Sequence, residues 1–241
     1  VQQNEHVAHN YATARDDGCM NRVVVHRGVR ILAAVLGVIV ALLMGGPVTG
    51  SAHAAVASPA GDAISIGDPT APAQIDLYLD PLCPFSGDFM RTQGDEIGKR
   101  VGAGNLQVNL RFVNFLEKYS ATGTYDVRAI YASFVVAGQS QSSDVTWRFV
   151  QQIFSAEHQP TEGGATDLSD EQLAALAGSV GAPQAAQDLI RFGLPIGHDP
   201  QAIAENNLAL LHQFPEPGVP LVVINGRPVD TDADWLAQLP G

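Results

Sequence analysis

A seven-residue, mostly apolar run, Ala73-Gln-Ile-Asp-Leu-Tyr-Leu79, stops at Asp80-Pro81 and is followed within five residues by a helical repeat. Such a run suits a buried strand, and the residue before a proline is biased away from helix, so the chain turns there. Pro84 suits a first helical turn, and Phe85, Phe89, Ile97 and Val101 recur at helical intervals as far as Gly102. Next, Leu106, Val108, Leu110 and Phe112 alternate with Gln107, Asn109 and Arg111, the period of a half-buried strand. Strand, helix and strand are thus fixed before the middle of the chain.

From Tyr125 to Phe214 the pattern is helical. Segments are expected over Asp126 to Ala137, Asp144 to Ser155, from Leu168 through "LSDEQLAALAGSV", Pro183 to Phe192, and Gln201 to Gln213. Ser169 and Gln172 stand at the two positions of a capping box. The segment 217–230, "PGVPLVVINGRPVD", then reads as two strands joined by an Asn225-Gly226 turn, and a last helix is expected over Asp232 to Leu239. The order is α/β with one long helical insertion at about 120–214. Residues 55–72, small and punctuated by Gly and Pro, read as a linker, with the domain at 73–241.

The first quarter has a different character. Arg22, Arg27 and Arg30 precede fourteen residues, Ile31 to Met44, without a charge, and Ala52-His53-Ala54 follows. Residues 20–54 therefore read as a secretory signal peptide, or as a membrane anchor if uncleaved; fourteen residues fall short of the roughly 20 a span requires. Either way the rest of the chain is expected to be exported: secreted, or in a cell envelope or periplasm-like space. Residues 1–19 read as a disordered extension or as sequence upstream of a start at Met20, and Cys19 is no partner for Cys83.

Beyond residue 54 there are nine Lys and Arg against 22 Asp and Glu, which disfavours nucleic acid and anionic lipid. Membrane contact is then expected only through an uncleaved N-terminal segment. His158, His198 and His212 lack the spacing of a zinc site, so no metal or bound cofactor is expected. Phe134, Trp147, Phe149, Phe154 and Phe192 are read mainly as core, and Asp167, Asp170 and Glu171 as residues of a helix start.

Three stretches, "LDPLCPF", "LSDEQLAALAGSVGAP" and "GVPLVVINGRPV", occur in an order that resembles the DsbA-like branch of the thioredoxin superfamily. The resemblance implies a thioredoxin fold with an inserted α-helical domain, an active-site turn at Cys83, and a cis-proline at Pro220, after Val219, facing it. Two departures stand out. Ser86 occupies the place of the family's second cysteine, and Leu77 the place of a buried acid six residues before the first. Asp76 is one step away, but one step along a strand turns a side chain to the other face.

The expected chemistry is that of a lone thiol. A cysteine at a helix N-terminus gains from unpaired amides and the helix dipole, which would take its pKa below the free value of about 8.5. Cys83 is the expected nucleophile and Ser86 its hydrogen-bond donor; Pro84, Phe85, Val219 and Pro220 would meet the substrate. Serine cannot expel a bound substrate, so release requires an external thiol. The resemblance therefore implies exchange on mixed disulfides between proteins and a low-molecular-weight thiol, or on protein or small-molecule disulfides, with the small thiol as co-substrate. The alternative is a non-catalytic thioredoxin-fold binding module of the envelope.

Overall fold

The computed structural model describes residues 55–240; the expectations for residues 1–19 and 20–54, Cys19 included, lie outside the described residues. Six strands form one sheet: β1 (Val56–Ala60), β2 (Ala63–Gly67), β3 (Ala73–Leu79), β4 (Leu106–Phe112), β5 (Leu221–Ile224) and β6 (Arg227–Val229), in the spatial order β1-β2-β4-β3-β5-β6. β3 and β4 run parallel and are joined by helix α1 (Pro84–Gly102); the other pairings are antiparallel. β3 has a neighbour on each side, and Ile75, Leu77 and Leu79 are buried, which is why its sequence is so apolar.

The five helices of the insertion are α2 (Tyr125–Ser140), α3 (Ser143–Ile153), α4 (Asp170–Ser179), α5 (Gln184–Phe192) and α6 (Pro200–Leu211). The capping box forms at α4: Ser169 Oγ accepts the Gln172 amide and Gln172 Oε1 accepts the Ser169 amide. Phe134, Trp147, Phe149 and Phe154 are buried in the core, whereas Phe192 is 65% exposed. α3 fits against α1 through two glycines. The Trp147 indole N–H donates to the Gly94 carbonyl at 2.8 Å, and a Cβ added to Gly98 would lie 2.8 Å from the indole ring.

Two expectations are corrected. The linker 55–72 is largely a β1–β2 hairpin, with Ile64 opposite Leu110 and Ile66 opposite Val108 on β4, so the domain begins before residue 73. Ala, Ser and Gly around Ile64 and Ile66 leave too little apolar surface for alternation to show, yet both isoleucines are fully buried. At the other end, the helix expected over 232–239 is a single 3₁₀ turn, Leu236–Gln238, anchored by buried Trp235 stacked on Phe89. The 217–230 hairpin forms as β5 and β6, and Asn225 and Gly226 both have positive φ, as a tight turn of that type requires.

Candidate active site

Cys83 is the N-cap of α1, with extended backbone (φ −68°, ψ 120°) and Pro84 as the first helical residue. The turn is built from backbone contacts: the Cys83 amide donates to the Asp80 carbonyl at 3.0 Å, and the Gly87 amide to the Cys83 carbonyl at 3.1 Å. Across from it the Val219–Pro220 peptide is cis, and the Cys83 S–H donates weakly to the Val219 carbonyl, 3.8 Å away. The structure thus brings together Cys83, Ser86, Val219 and Pro220. Phe85 stands beside them, 69% exposed, and lines a shallow cleft with Phe89, Gln93 and Pro220. Pro84 is exposed on the other side of the turn, next to Arg91 and Gln159.

Two properties of the thiol differ from expectation. Cys83 is buried, only 4% exposed, and burial pushes its pKa up, against the Ser86 and Phe85 amides and the Ser86 hydroxyl, with the charge of Asp80 adding to the rise. The helix-terminus donors are in place, but loss of solvent outweighs them. Ser86, also fully buried, accepts the Asp80 amide at 3.3 Å, which ties the second position of the motif to the end of β3.

Sequence reasoning missed Gln159, in the segment between α3 and α4. Its Nε2 donates to the Cys83 carbonyl at 2.9 Å and to the Pro81 carbonyl at 3.2 Å, while its Oε1 accepts from Arg91 at 3.0 Å. A Cβ on Gly87 would lie 1.9 Å from that Oε1, so only glycine lets the clamp close over the turn. Nothing local to Gln159 announces this role, because its partners are more than 60 residues away.

Leu77 is fully buried in β3, with no acid in its place, and Asp76 faces elsewhere, paired with Arg111 at 2.9 Å. The buried acids beside the turn are Asp80 and Asp126 instead, both without exposed surface. Asp80 Oδ1 accepts the Leu82 amide at 3.0 Å and Oδ2 the Leu116 amide at 3.1 Å. Neither Asp126 oxygen makes a hydrogen bond of good geometry, although the Leu82 amide and the Asp80 carboxyl lie beside it. Burial drives both carboxyls well above the ordinary carboxylate range; Asp80 raises Asp126 further. Asp126 sits in the first turn of α2, where sequence alone reads an acid as complementing the helix dipole. Among the described residues, no group of three His, Cys, Asp or Glu side chains is placed to hold a metal ion.

This combination of a thioredoxin fold with a helical insertion and a cysteine facing a cis-proline matches solved structures of DsbA-like proteins. MdbA of Corynebacterium diphtheriae, a thiol-disulfide oxidoreductase, superposes with a TM-score of 0.63 at 25% identity, over 77% of this chain and 93% of that one. Reduced DsbA of Mycobacterium tuberculosis superposes with a TM-score of 0.57 at 26% identity, over 70% and 85%. In sequence, the chain is 35% identical over 181 residues to the serine/threonine-protein kinase PknE of M. tuberculosis H37Rv. That match takes in 75% of this chain but 32% of the kinase, so the chain spans about a third of the curated relative's length. No family model matches. The structural neighbours support a redox function for this chain.

Proposed function

We propose that the chain is an exported monothiol redox protein, in which the Cys83 thiolate exchanges with mixed disulfides between a protein and a low-molecular-weight thiol, or with protein disulfides. The observation that carries the proposal is the placement of Cys83 at the start of α1, facing the Val219 carbonyl, with Ser86 where a resolving cysteine would stand. Attack by Cys83 breaks the substrate disulfide, forms a Cys83 mixed disulfide and releases one thiolate. An added small thiol then attacks that mixed disulfide and Cys83 leaves. Phe85, Pro84 and the Val219–Pro220 loop border the incoming chain. Export rests on the basic and apolar pattern of residues 20–54, which also gives the one membrane attachment we propose. Phosphotransfer is not proposed, because the match takes in only 32% of the kinase.

A second reading, a binding module without chemistry, draws on one observation: the thiol is buried and its S–H is engaged with Val219. Turnover separates the two. A protein glutathionylated at one surface cysteine is offered with free glutathione, and wild type is expected to release the small thiol while Cys83→Ser does not. The rate should climb as pH rises above neutrality, because burial holds the thiol above its ordinary value. Equal turnover in Cys83→Ser overturns the proposal, and no turnover by wild type selects the binding module.

Ser86→Cys is expected to form a disulfide with Cys83, since residues three apart in a first helical turn lie on neighbouring faces. It should nonetheless oxidise a reduced model protein slowly. A strong oxidant needs its reduced form stabilised as a thiolate, and here burial favours the neutral thiol. Stopped-flow oxidation as fast as the chemistry of a strong dithiol oxidant would show that the scaffold kept its full dithiol machinery.

A further inference from the structure

We infer that the protein substrate docks through a basic stretch of its chain, held in an acid-rimmed groove with an apolar floor on the Phe85 side of Cys83; this names a substrate class for the monothiol reading and rests on it. Two hollows lie on that side. One, of about 320 Å³, is lined by Phe85, Phe89 and Pro220 with Asp88 and Asp232. The other, of about 420 Å³, is lined by Pro215, Leu221 and Pro228 with Glu216 and Asp230. They adjoin, because Pro220 and Thr231 line the first and their chain neighbours Leu221 and Asp230 line the second. The thiol borders the first: Cys83 Sγ lies 3.8 Å from the carbonyl of Val219, which precedes Pro220.

The floor and the rim select different parts of a ligand. Phe85 is 69% exposed beside the thiol, and aromatic surface left open to water gains by being covered. The rim is acidic and poorly compensated. Four carboxylates line the two hollows, and no lysine or arginine lines either. Asp88 is paired with Arg91, and Asp230 accepts the Asp232 amide at 3.0 Å. Glu216 and Asp232 are exposed, and among the described residues neither carboxylate has a hydrogen-bond or ion-pair partner. Arg91 lines a different hollow, on the Pro84 side of the turn, where it donates to the Phe154 carbonyl and to Gln159.

Lysine and arginine suit both parts at once, since their methylene stems cover an apolar floor while their charged heads reach the rim. A compact cation would neutralise the carboxylates and leave Phe85 and the prolines bare. An acidic chain would be repelled. Docking through side chains also fits the backbone on this side: Pro228 of β6 carries no amide hydrogen, so the occupant is not held there by strand pairing. The two sides of the turn differ, and this gives the substrate a direction. The Pro84 side carries Arg91 and Glu162 together, one charge of each sign. The basic residues therefore belong to the substrate segment that lies over Phe85 and Pro220, on one side of its disulfide.

The test uses the full chain and two fluorescent, cysteine-free peptides, one alternating lysine with leucine and one alternating glutamate with leucine, so that no thiol chemistry enters. Anisotropy is expected to show binding of the lysine peptide alone, weakening as salt rises from about 0.01 M to about 0.15 M and the screening length falls from about 30 Å to about 8 Å. Glu216→Lys with Asp232→Lys should weaken that binding about tenfold, and Phe85→Ser should weaken it as well. All three side chains are exposed, so the variants keep the fold. The same change of net charge made on α4 and α6, Glu171→Lys with Glu205→Lys, should leave the affinity within about threefold. An equal loss in that control, equal binding of the two peptides, or displacement of the lysine peptide by spermine at matched charge overturns the inference. Selective binding by a protein that turns over no disulfide sustains the groove and removes the monothiol reading. Turnover that does not distinguish disulfides flanked by lysine from those flanked by glutamate removes the groove and leaves the monothiol reading.

Discussion

Between pH 5 and pH 7 the folded protein is expected to lose stability, on the order of 1 kcal/mol per pH unit for each proton retained only in the fold. The unfolded Asp126 carboxyl releases its proton around the ordinary value of 3.8, whereas burial and Asp80 hold that proton on the folded chain well above it. A raised carboxyl therefore contributes stability that is complete below the ordinary value and is lost as pH rises toward the folded value. Carboxylates that are ionised and paired in the fold behave in the opposite sense and favour the higher pH. Urea unfolding at pH 5, 6 and 7 measures the slope, and Asp126→Asn should flatten it. A wild-type stability that is level or rises over this range would mean that Asp126 is ionised in the fold.

Trp147→Ala is expected to cost about 3–5 kcal/mol, the range for removing a buried aromatic side chain, and to lower the melting temperature by about 6–20 °C for a domain of this size. The indole fills the space that Gly94 and Gly98 leave on α1, and its N–H is satisfied by the Gly94 carbonyl. Alanine leaves a cavity between α1 and α3. Trp147→Phe, which keeps much of the volume and loses the hydrogen bond, should cost less than half as much. The denaturant slope should not change, since the same surface is exposed on unfolding. A drop below 1 kcal/mol for alanine would show that α3 closes onto the glycines unaided.

What could be read from sequence is what local pattern encodes. The runs 73–79 and 106–112 became β3 and β4 with those bounds, because both strands lie inside the sheet and their faces differ in polarity. Ser169 and Gln172 capped α4, and Asn225-Gly226 made its turn, since each depends on a few adjacent residues. The surroundings of Cys83 were not legible: its thiol meets Val219 from beyond the insertion and its carbonyl meets Gln159 from within it. Asp126 looked like any acid in a first turn. Its burial beside Asp80, 46 residues away in sequence, is set in three dimensions. The β1–β2 hairpin was hidden for another reason, as small residues in an outer strand carry little signal of either period.

Both outer strands of the sheet contain a proline: Pro59 in β1, opposite Ile64, and Pro228 in β6, opposite Val223. Each removes an amide hydrogen from a strand of five or three residues, where a further strand would otherwise find a ladder to extend. Protection against edge-to-edge aggregation is thus written into both margins of the sheet, and partner chains are steered away from simple strand addition there. If the chain exchanges with protein disulfides as proposed, these margins keep the encounter with a substrate chain at the thiol.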